Sequence, residues 1–120
     1  MREIQLKFRD IAEGRPHRLF LLPPEAAIAY IDECAAGGFF LLGVEGFIKP
    51  PGGAYQPSME HSNDIDDTDL SQTAFVEETK RFIMERSSIP WIHFEIVYEQ
   101  MGGQWIGVPP WAANDDLDKK

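Results

Sequence analysis

The sequence of 120 residues predicts an α+β fold, with a mixed or antiparallel sheet and two helices packed on one of its faces. Two segments repeat apolar residues at helical spacing, several shorter segments have strand composition, and turns rich in proline and glycine separate them. From residue 19 onwards the predicted order is β-α-β-β-α-β-β, for which a split βαβ arrangement is the nearest named pattern. Residues 1–120 are predicted to form a single domain, because domains most often have about 100 to 150 residues.

The first half of the chain predicts two strands around a helix, preceded by a short strand. Residues 4–8 alternate apolar and polar side chains and predict a half-buried strand, and residues 19–22 predict a short apolar one. Residues 24–36 repeat apolar side chains at three and four positions and precede two glycines, which predicts a helix. Residues 39–49 are too apolar for an exposed strand and predict a central one, in which Gly43 and Gly46 permit a bulge.

The second half predicts an edge strand, a helix and a final hairpin. Residues 54–59 are predicted to form the second arm of a hairpin, which Pro57 confines to an edge or ends early because proline cannot donate a hydrogen bond to a neighbour. An acidic loop follows, and a helix over residues 70–86 begins at the capping-box pair Asp69 and Gln72. Residues 91–100 alternate and predict a strand, residues 105–108 predict its hairpin partner, and the tail from about residue 112 is polar. The strand over residues 91–100 is predicted to carry Ile92, Phe94, Ile96 and Tyr98 on one face.

Composition excludes several classes of function. Twenty acidic against 11 basic residues give a net charge of −9, which opposes binding to nucleic acid because that affinity comes largely from Lys and Arg. No apolar run approaches the ~20 residues that cross a bilayer, and no export signal is visible, so no membrane partner is predicted. The single cysteine, Cys34, indicates a reducing compartment, and the predicted location is the cytoplasm. No cofactor is predicted.

One segment concentrates reactive side chains. Residues 60–69 contain no Lys or Arg, and their acidic residues and histidine are Glu60, His61, Asp64, Asp66, Asp67 and Asp69. Three interpretations of this acidic segment are open: a metal site, a catalytic site and a protein-binding surface.

A metal site has partial support from spacing. Asp67, Asp69, Ser71 and Glu78 fall on positions 1, 3, 5 and 12 of an EF-hand loop. Position 6 is Gln72, where such a loop needs glycine for its sharp turn. No metal site is therefore predicted.

A catalytic site would use His61 as a general base, oriented by Glu60 or Asp64, with Ser62 as the nucleophile. Adjacent side chains in an extended segment point to opposite faces, and no GxSxG motif exposes Ser62. Cys34 lies on the apolar stripe of the first helix, where a buried side chain is expected, and the aromatic residues are expected to pack in the core and the hairpin. No catalytic residue is predicted, and a small metal-dependent hydrolase using His61 and nearby carboxylates is kept as the alternative.

The third interpretation, a protein-binding surface, follows from charge. Carboxylates clustered beside a helix start attract a basic partner and disfavour acidic ones. A solvated loop with no partner is the competing explanation.

Three stretches of the chain resemble a family of small immunity proteins of bacterial polymorphic toxin systems. They are Leu41 to Phe47 (LLGVEGF), Gln56 to Ser62 (QPSMEHS) and Phe94 to Val97 (FEIV). QPSMEHS is the most specific of them, and the resemblance covers roughly residues 25 to 100.

The resemblance implies a non-enzymatic antitoxin that stays in the cytoplasm of the producing cell and occludes a cognate toxin domain. The predicted partner is basic, and a nuclease is the toxin class that the charge favours, because the site of a nuclease must attract phosphate. The partner-binding residues would be the five acidic residues of the segment and its histidine, which are Glu60, His61, Asp64, Asp66, Asp67 and Asp69. Among them, His61 would hold the segment in place by hydrogen bonds. A stand-alone protein-interaction domain without a toxin is a further alternative.

Overall fold

A computed structural model of the chain describes residues 2–12, 20–67, 69–99 and 105–106. Its helices are Arg2–Lys7 (α1), Pro24–Ala36 (α2) and Gln72–Glu85 (α3). Its strands are Leu21–Leu22 (β1), Phe40–Ile48 (β2), Gln56–Asp64 (β3), Ile92–Glu99 (β4) and Trp105–Ile106 (β5). A 3-10 turn, Ile65–Asp67, follows β3. The helices pack against an antiparallel sheet, which confirms the α+β class.

The strand order places β2 and β4 at the centre of the sheet and β3 at one edge. The order is β1-β4-β2-β3, and β5 pairs with β4 farther along the strand than β1 does. Because β1 and β2 are both antiparallel to β4, they run parallel to each other with β4 between them. The helix α2 connects β1 to β2, so this part of the fold is a split βαβ unit.

One face of the sheet forms the core with the helices. Alternate residues of β4 are buried on this face, and their partners on β2 include Leu41 and Val44. Ile31 of α2 and Phe75 of α3 belong to the same buried cluster, so both helices cover the same face. Within the described residues, no helix is long and apolar enough to cross a membrane.

The helix α2 has the bounds that the sequence predicts. Pro24 occupies its first position, where the missing N–H costs nothing, and Gly37 follows its last residue. The buried side chains recur at intervals of three and four positions and are those of Ala27, Tyr30, Ile31 and Cys34. Burial of this stripe against the sheet stabilises the helix.

The first element is a helix, and the predicted strand over residues 4–8 is wrong. Gln5 and Phe8 are buried, whereas Leu6 is 42% exposed. A strand would place Leu6 on the same face as Phe8, but helical spacing buries residues three apart instead. The segment is too short for its periodicity to distinguish the two structures.

The helix α3 begins at a different cap from the predicted one. Ser71 is the N-cap, and its hydroxyl Oγ accepts a hydrogen bond from the N–H of Ala74 at 3.2 Å. Gln72, the predicted capping-box partner of Asp69, instead binds the backbone of Leu41: its Oε1 accepts from the Leu41 N–H at 2.6 Å and its Nε2 donates to the Leu41 carbonyl at 3.1 Å. A side-chain amide therefore takes the place of a strand beside β2, where β3 has ended.

Candidate interaction surface

The acidic segment lies along the edge of the sheet, and the predicted loop is wrong over its first half. Residues 60–64 belong to β3, residues 65–67 form the 3-10 turn, and Asp69 precedes α3. The edge strand is thus longer than the arm over residues 54–59 that the sequence predicts. The exposed acidic side chains of this segment are those of Glu60, Asp64, Asp66 and Asp69; His61 is half-buried, and the side chain of Asp67 lies outside the described part.

A bulge of four β3 residues interrupts the pairing of β3 with β2. Val44 pairs with Asn63, and Gly46 pairs with Ser58. A single β2 residue, Glu45, therefore faces four residues of β3, which are Met59, Glu60, His61 and Ser62. Bulges redirect side chains and end regular pairing at sheet edges. This one, the β3 bulge, occupies the last four residues of the QPSMEHS stretch.

The hydroxyl of Ser62 bridges the two ends of the β3 bulge by hydrogen bonds. It accepts a hydrogen bond from the N–H of Gly46 at 3.1 Å and donates one to the carbonyl of Ser58 at 2.7 Å. The side chain thus satisfies backbone groups that the extra residues would otherwise separate. Ser62 is accordingly a structural residue of the bulge.

Glycine is required at position 46 because the backbone of the β3 bulge approaches β2 closely there. A Cβ atom at this position would collide with the carbonyl oxygen of His61 and lie 2.7 Å from the Cβ of His61. Gly43 is similarly close to the backbone of Asn63. The predicted role of both glycines in permitting a bulge is confirmed by the register shifts at Leu41/Gly43 and at Val44/Gly46.

Arg86 fixes the outer part of the β3 bulge to the end of α3. Its Nε donates to Nδ1 of His61 at 3.1 Å, and its Nη2 donates to the carbonyl of Glu60 at 3.4 Å. Its Nη1 donates to the carbonyl of Phe82 at 3.1 Å, and the guanidinium carbon lies 3.6 Å from the centre of the Phe82 ring. The contact with His61 uses the lone pair of Nδ1, so a neutral imidazole carries its proton on Nε2.

The acidic side chains of the edge differ in their surroundings. Asp64 accepts a hydrogen bond from the N–H of Asp66 on Oδ1 at 2.8 Å and so caps the 3-10 turn. The carboxylates of Glu60, Asp66 and Asp69 form no ion pair within the described part of the chain, and all three residues are exposed. These three carboxylates supply negative charge to the surface.

A second pair of carboxylates lies on the sheet face opposite the helices. Glu45 and Glu95 are direct partners across β2 and β4. Burial raises the pKa of Glu95 to about 7, the charge of Glu45 adds to the rise, and a hydrogen bond from the backbone of Phe20 opposes it. A recess of about 130 Å³ lies beside Glu45 and Asp64, with Val97 in its lining. Neither glutamate is among the predicted site residues, although each is a charged residue within a predicted strand and indicates a face that differs from the core.

Two of the four residues considered for metal binding, Ser71 and Glu78, have other contacts. Ser71 caps α3, and Glu78 accepts a hydrogen bond from Arg81 at 2.7 Å. No group of three or more His, Cys, Asp or Glu side chains able to hold a metal ion occurs among the residues described.

Cys34 and the aromatic side chains have mixed environments. Cys34 is buried, and burial raises the pKa of its thiol to about 12. Tyr98 is also in the core, as expected, but Phe40 is 41% and Trp91 is 53% exposed, so the expected packing is wrong for these two. The residues over 107–120, including Trp111 and the polar tail, lie outside the described part.

No protein-family model matches the chain, and no curated protein is significantly similar to it.

Proposed function

We propose that this protein is an immunity protein that binds a basic toxin domain in the cytoplasm of the producing cell and occludes it without catalysing a reaction. The observation that carries the proposal is the acidic sheet edge, on which Glu60, Asp66 and Asp69 are exposed and form no ion pair within the described residues. The net charge of −9 and the resemblance of residues 56–62 to the immunity family give independent support.

The exposed carboxylates are expected to affect the rate of association more than the final affinity. A patch of exposed carboxylates attracts a basic partner over distances of about one Debye length and increases the rate of encounter. A nuclease is the toxin class that fits best, because its own site is positive in order to hold phosphate. The acidic edge would then occupy the position of the nucleic-acid backbone.

The geometry of His61 supports a binding role over the hydrolase alternative. Its Nδ1 accepts the hydrogen bond from Arg86, so this nitrogen is not available to take a proton from a nucleophile. Ser62 is engaged on both sides within the bulge. His61, on which the hydrolase alternative depends, therefore has a structural contact, and so does Ser62, the nucleophile considered for a catalytic site.

The test is charge reversal with a matched control. A variant with Glu60→Lys, Asp66→Lys and Asp69→Lys changes the edge but spares the cap formed by Asp64. The control variant, Asp10→Lys, Glu25→Lys and Glu78→Lys, makes the same change of net charge on and beside the helices. The partner is the purified product of the gene directly upstream, because immunity genes are expected to follow their toxin genes.

We expect the edge variant to associate about tenfold or more slowly and to show a flatter dependence of the association rate on salt. The control variant should associate at nearly the rate of the unmodified protein. Co-expression should protect cells from the upstream product with the control variant and protect them poorly with the edge variant. Failure of the unmodified protein to bind or neutralise the upstream product would overturn the proposed function.

A further inference from the structure

The β3 bulge exposes an apolar side chain to an unusual extent. Met59 is 90% exposed, the highest fraction among the large apolar side chains of the described residues. Single exposed apolar residues are common on protein surfaces and need no explanation by themselves. Met59, however, stands on a segment whose backbone is held in place from both sides.

The two attachments of the β3 bulge fix the segment that carries Met59. On one side, the Ser62 hydroxyl is hydrogen-bonded to the backbone of Gly46 and Ser58. On the other side, Arg86 at the end of α3 donates hydrogen bonds to the His61 ring and the Glu60 carbonyl. A segment whose backbone is already held in place loses less conformational entropy on binding than a free loop would. The arrangement thus presents Met59 in a pre-organised position.

The same geometry disfavours recognition by strand addition. Pro57 has no N–H to donate, and four residues of β3 deviate from regular pairing. A partner therefore meets the side chains of the bulge rather than a continuous row of backbone groups.

We propose that Met59 is the apolar anchor of the interface, inserting into an apolar pocket of a partner protein whose rim carries Lys and Arg side chains. The rim cations would face Glu60 and Asp66, which lie on the same edge and are exposed. Methionine suits such a pocket because its unbranched thioether adapts to irregular shapes. His61 and Arg86 are positioning residues, since they act by holding the bulge. This inference rests on the proposed function and names the part of the acidic edge that carries affinity.

The test compares two methionines in calorimetric titrations with the purified product of the upstream gene. Met59→Ala should weaken binding about tenfold or more, as expected of an interface anchor, and should leave the salt dependence of the affinity unchanged. Met84→Ala is the matched control, because Met84 is 56% exposed on α3, and it should change the affinity less than about twofold. Equal effects of the two substitutions would overturn the inference while leaving the proposed function intact.

A double-mutant cycle tests the positioning role of Arg86. Arg86→Lys keeps the charge but loses the guanidinium fork that reaches both His61 and Glu60. If Arg86 presents Met59, the loss of affinity caused by Met59→Ala should be several-fold smaller in the Arg86→Lys background. Additive effects of the two substitutions would remove the positioning role, and absence of binding by the unmodified protein would overturn the proposed function together with the anchor.

Discussion

Glu95 shows how one residue makes stability depend on pH. Its pKa of about 7 in the folded protein lies above the ordinary value of 4.5, because the side chain is half-buried and pairs across the strands with Glu45. The folded state therefore holds the proton more tightly than the unfolded state does. The resulting penalty is absent below pH 4.5, grows as the pH rises through the interval to about 7, and is constant above it.

Replacement of Glu95 by glutamine should remove this penalty. We expect Glu95→Gln to raise the free energy of unfolding by about 1–3 kcal/mol at about pH 8 and to have little effect below about pH 4.5. Urea denaturation across this pH range measures the difference. Glu99→Gln, at an exposed position of the same strand, is the control and should give no such trend. A gain of stability that is equal at both ends of the range would contradict the explanation.

Gly46 tests the close approach of the β3 bulge to β2. Gly46→Ala places a Cβ atom against the backbone of His61, which cannot move without disturbing the bulge. We expect a loss of about 2–4 kcal/mol in the free energy of unfolding, at the upper end of single substitutions. Gly38→Ala provides the comparison, because Gly38 has a φ of 83° but open space around it, so only a backbone cost of about 1 kcal/mol applies. Similar losses for both variants would argue against the collision.

At the scale of the element, Gln72 connects α3 to the sheet. Its amide makes two hydrogen bonds with the backbone of Leu41, as a neighbouring strand would. Gln72→Ala leaves both backbone groups without their partner and should lower the free energy of unfolding by about 1–3 kcal/mol. Gln56→Ala, the same substitution at an exposed position of β3, should cost much less. Denaturant titration of the two variants checks the prediction, and equal losses would exclude a specific role for the Gln72 amide.

The elements that the sequence predicts well are those whose pattern is local and long. The helix α2 has a proline at its start, a glycine after its end and a repeating apolar stripe, and β4 alternates over its whole length. The segment at residues 4–8 was predicted wrongly because five residues fit both periods. The prediction of Asp69 as the N-cap of α3 is also wrong. Asp69 and Ser71 are both residue types that suit an N-cap, and the contact of Gln72 with the distant strand β2 decides between them.

The β3 bulge illustrates what local patterns cannot provide. The glycines at 43 and 46 indicated an irregular strand, but the number of extra residues depends on which residues of β3 oppose β2. The contact of His61 with Arg86 joins residues 25 positions apart, on a strand and at a helix end. The acidic residues are evident in the sequence, but their position at one edge of the sheet follows only from the fold.

At the scale of the whole molecule, the net charge predicts opposite effects of salt on stability and on binding. A charge of −9 destabilises the compact state by self-repulsion, which added salt screens. Raising NaCl from about 20 mM to about 300 mM should therefore raise the urea midpoint of the free protein while weakening the proposed complex with a basic partner. Denaturation and calorimetry at the same salt concentrations measure both effects. A complex whose affinity does not fall with salt would contradict an electrostatic interface.

The β3 bulge also bears on how such a protein can evolve. The contacts that hold it come from the side chains of Ser62, His61 and Arg86 and from backbone groups, whereas Met59 and Glu60 carry exposed side chains. Exposed substitutions away from structural contacts usually change stability by less than about 0.5 kcal/mol. Mutations at these two positions can therefore accumulate without loss of the fold, so a lineage could follow changes in the proposed partner by altering two codons while the sheet beneath stays the same.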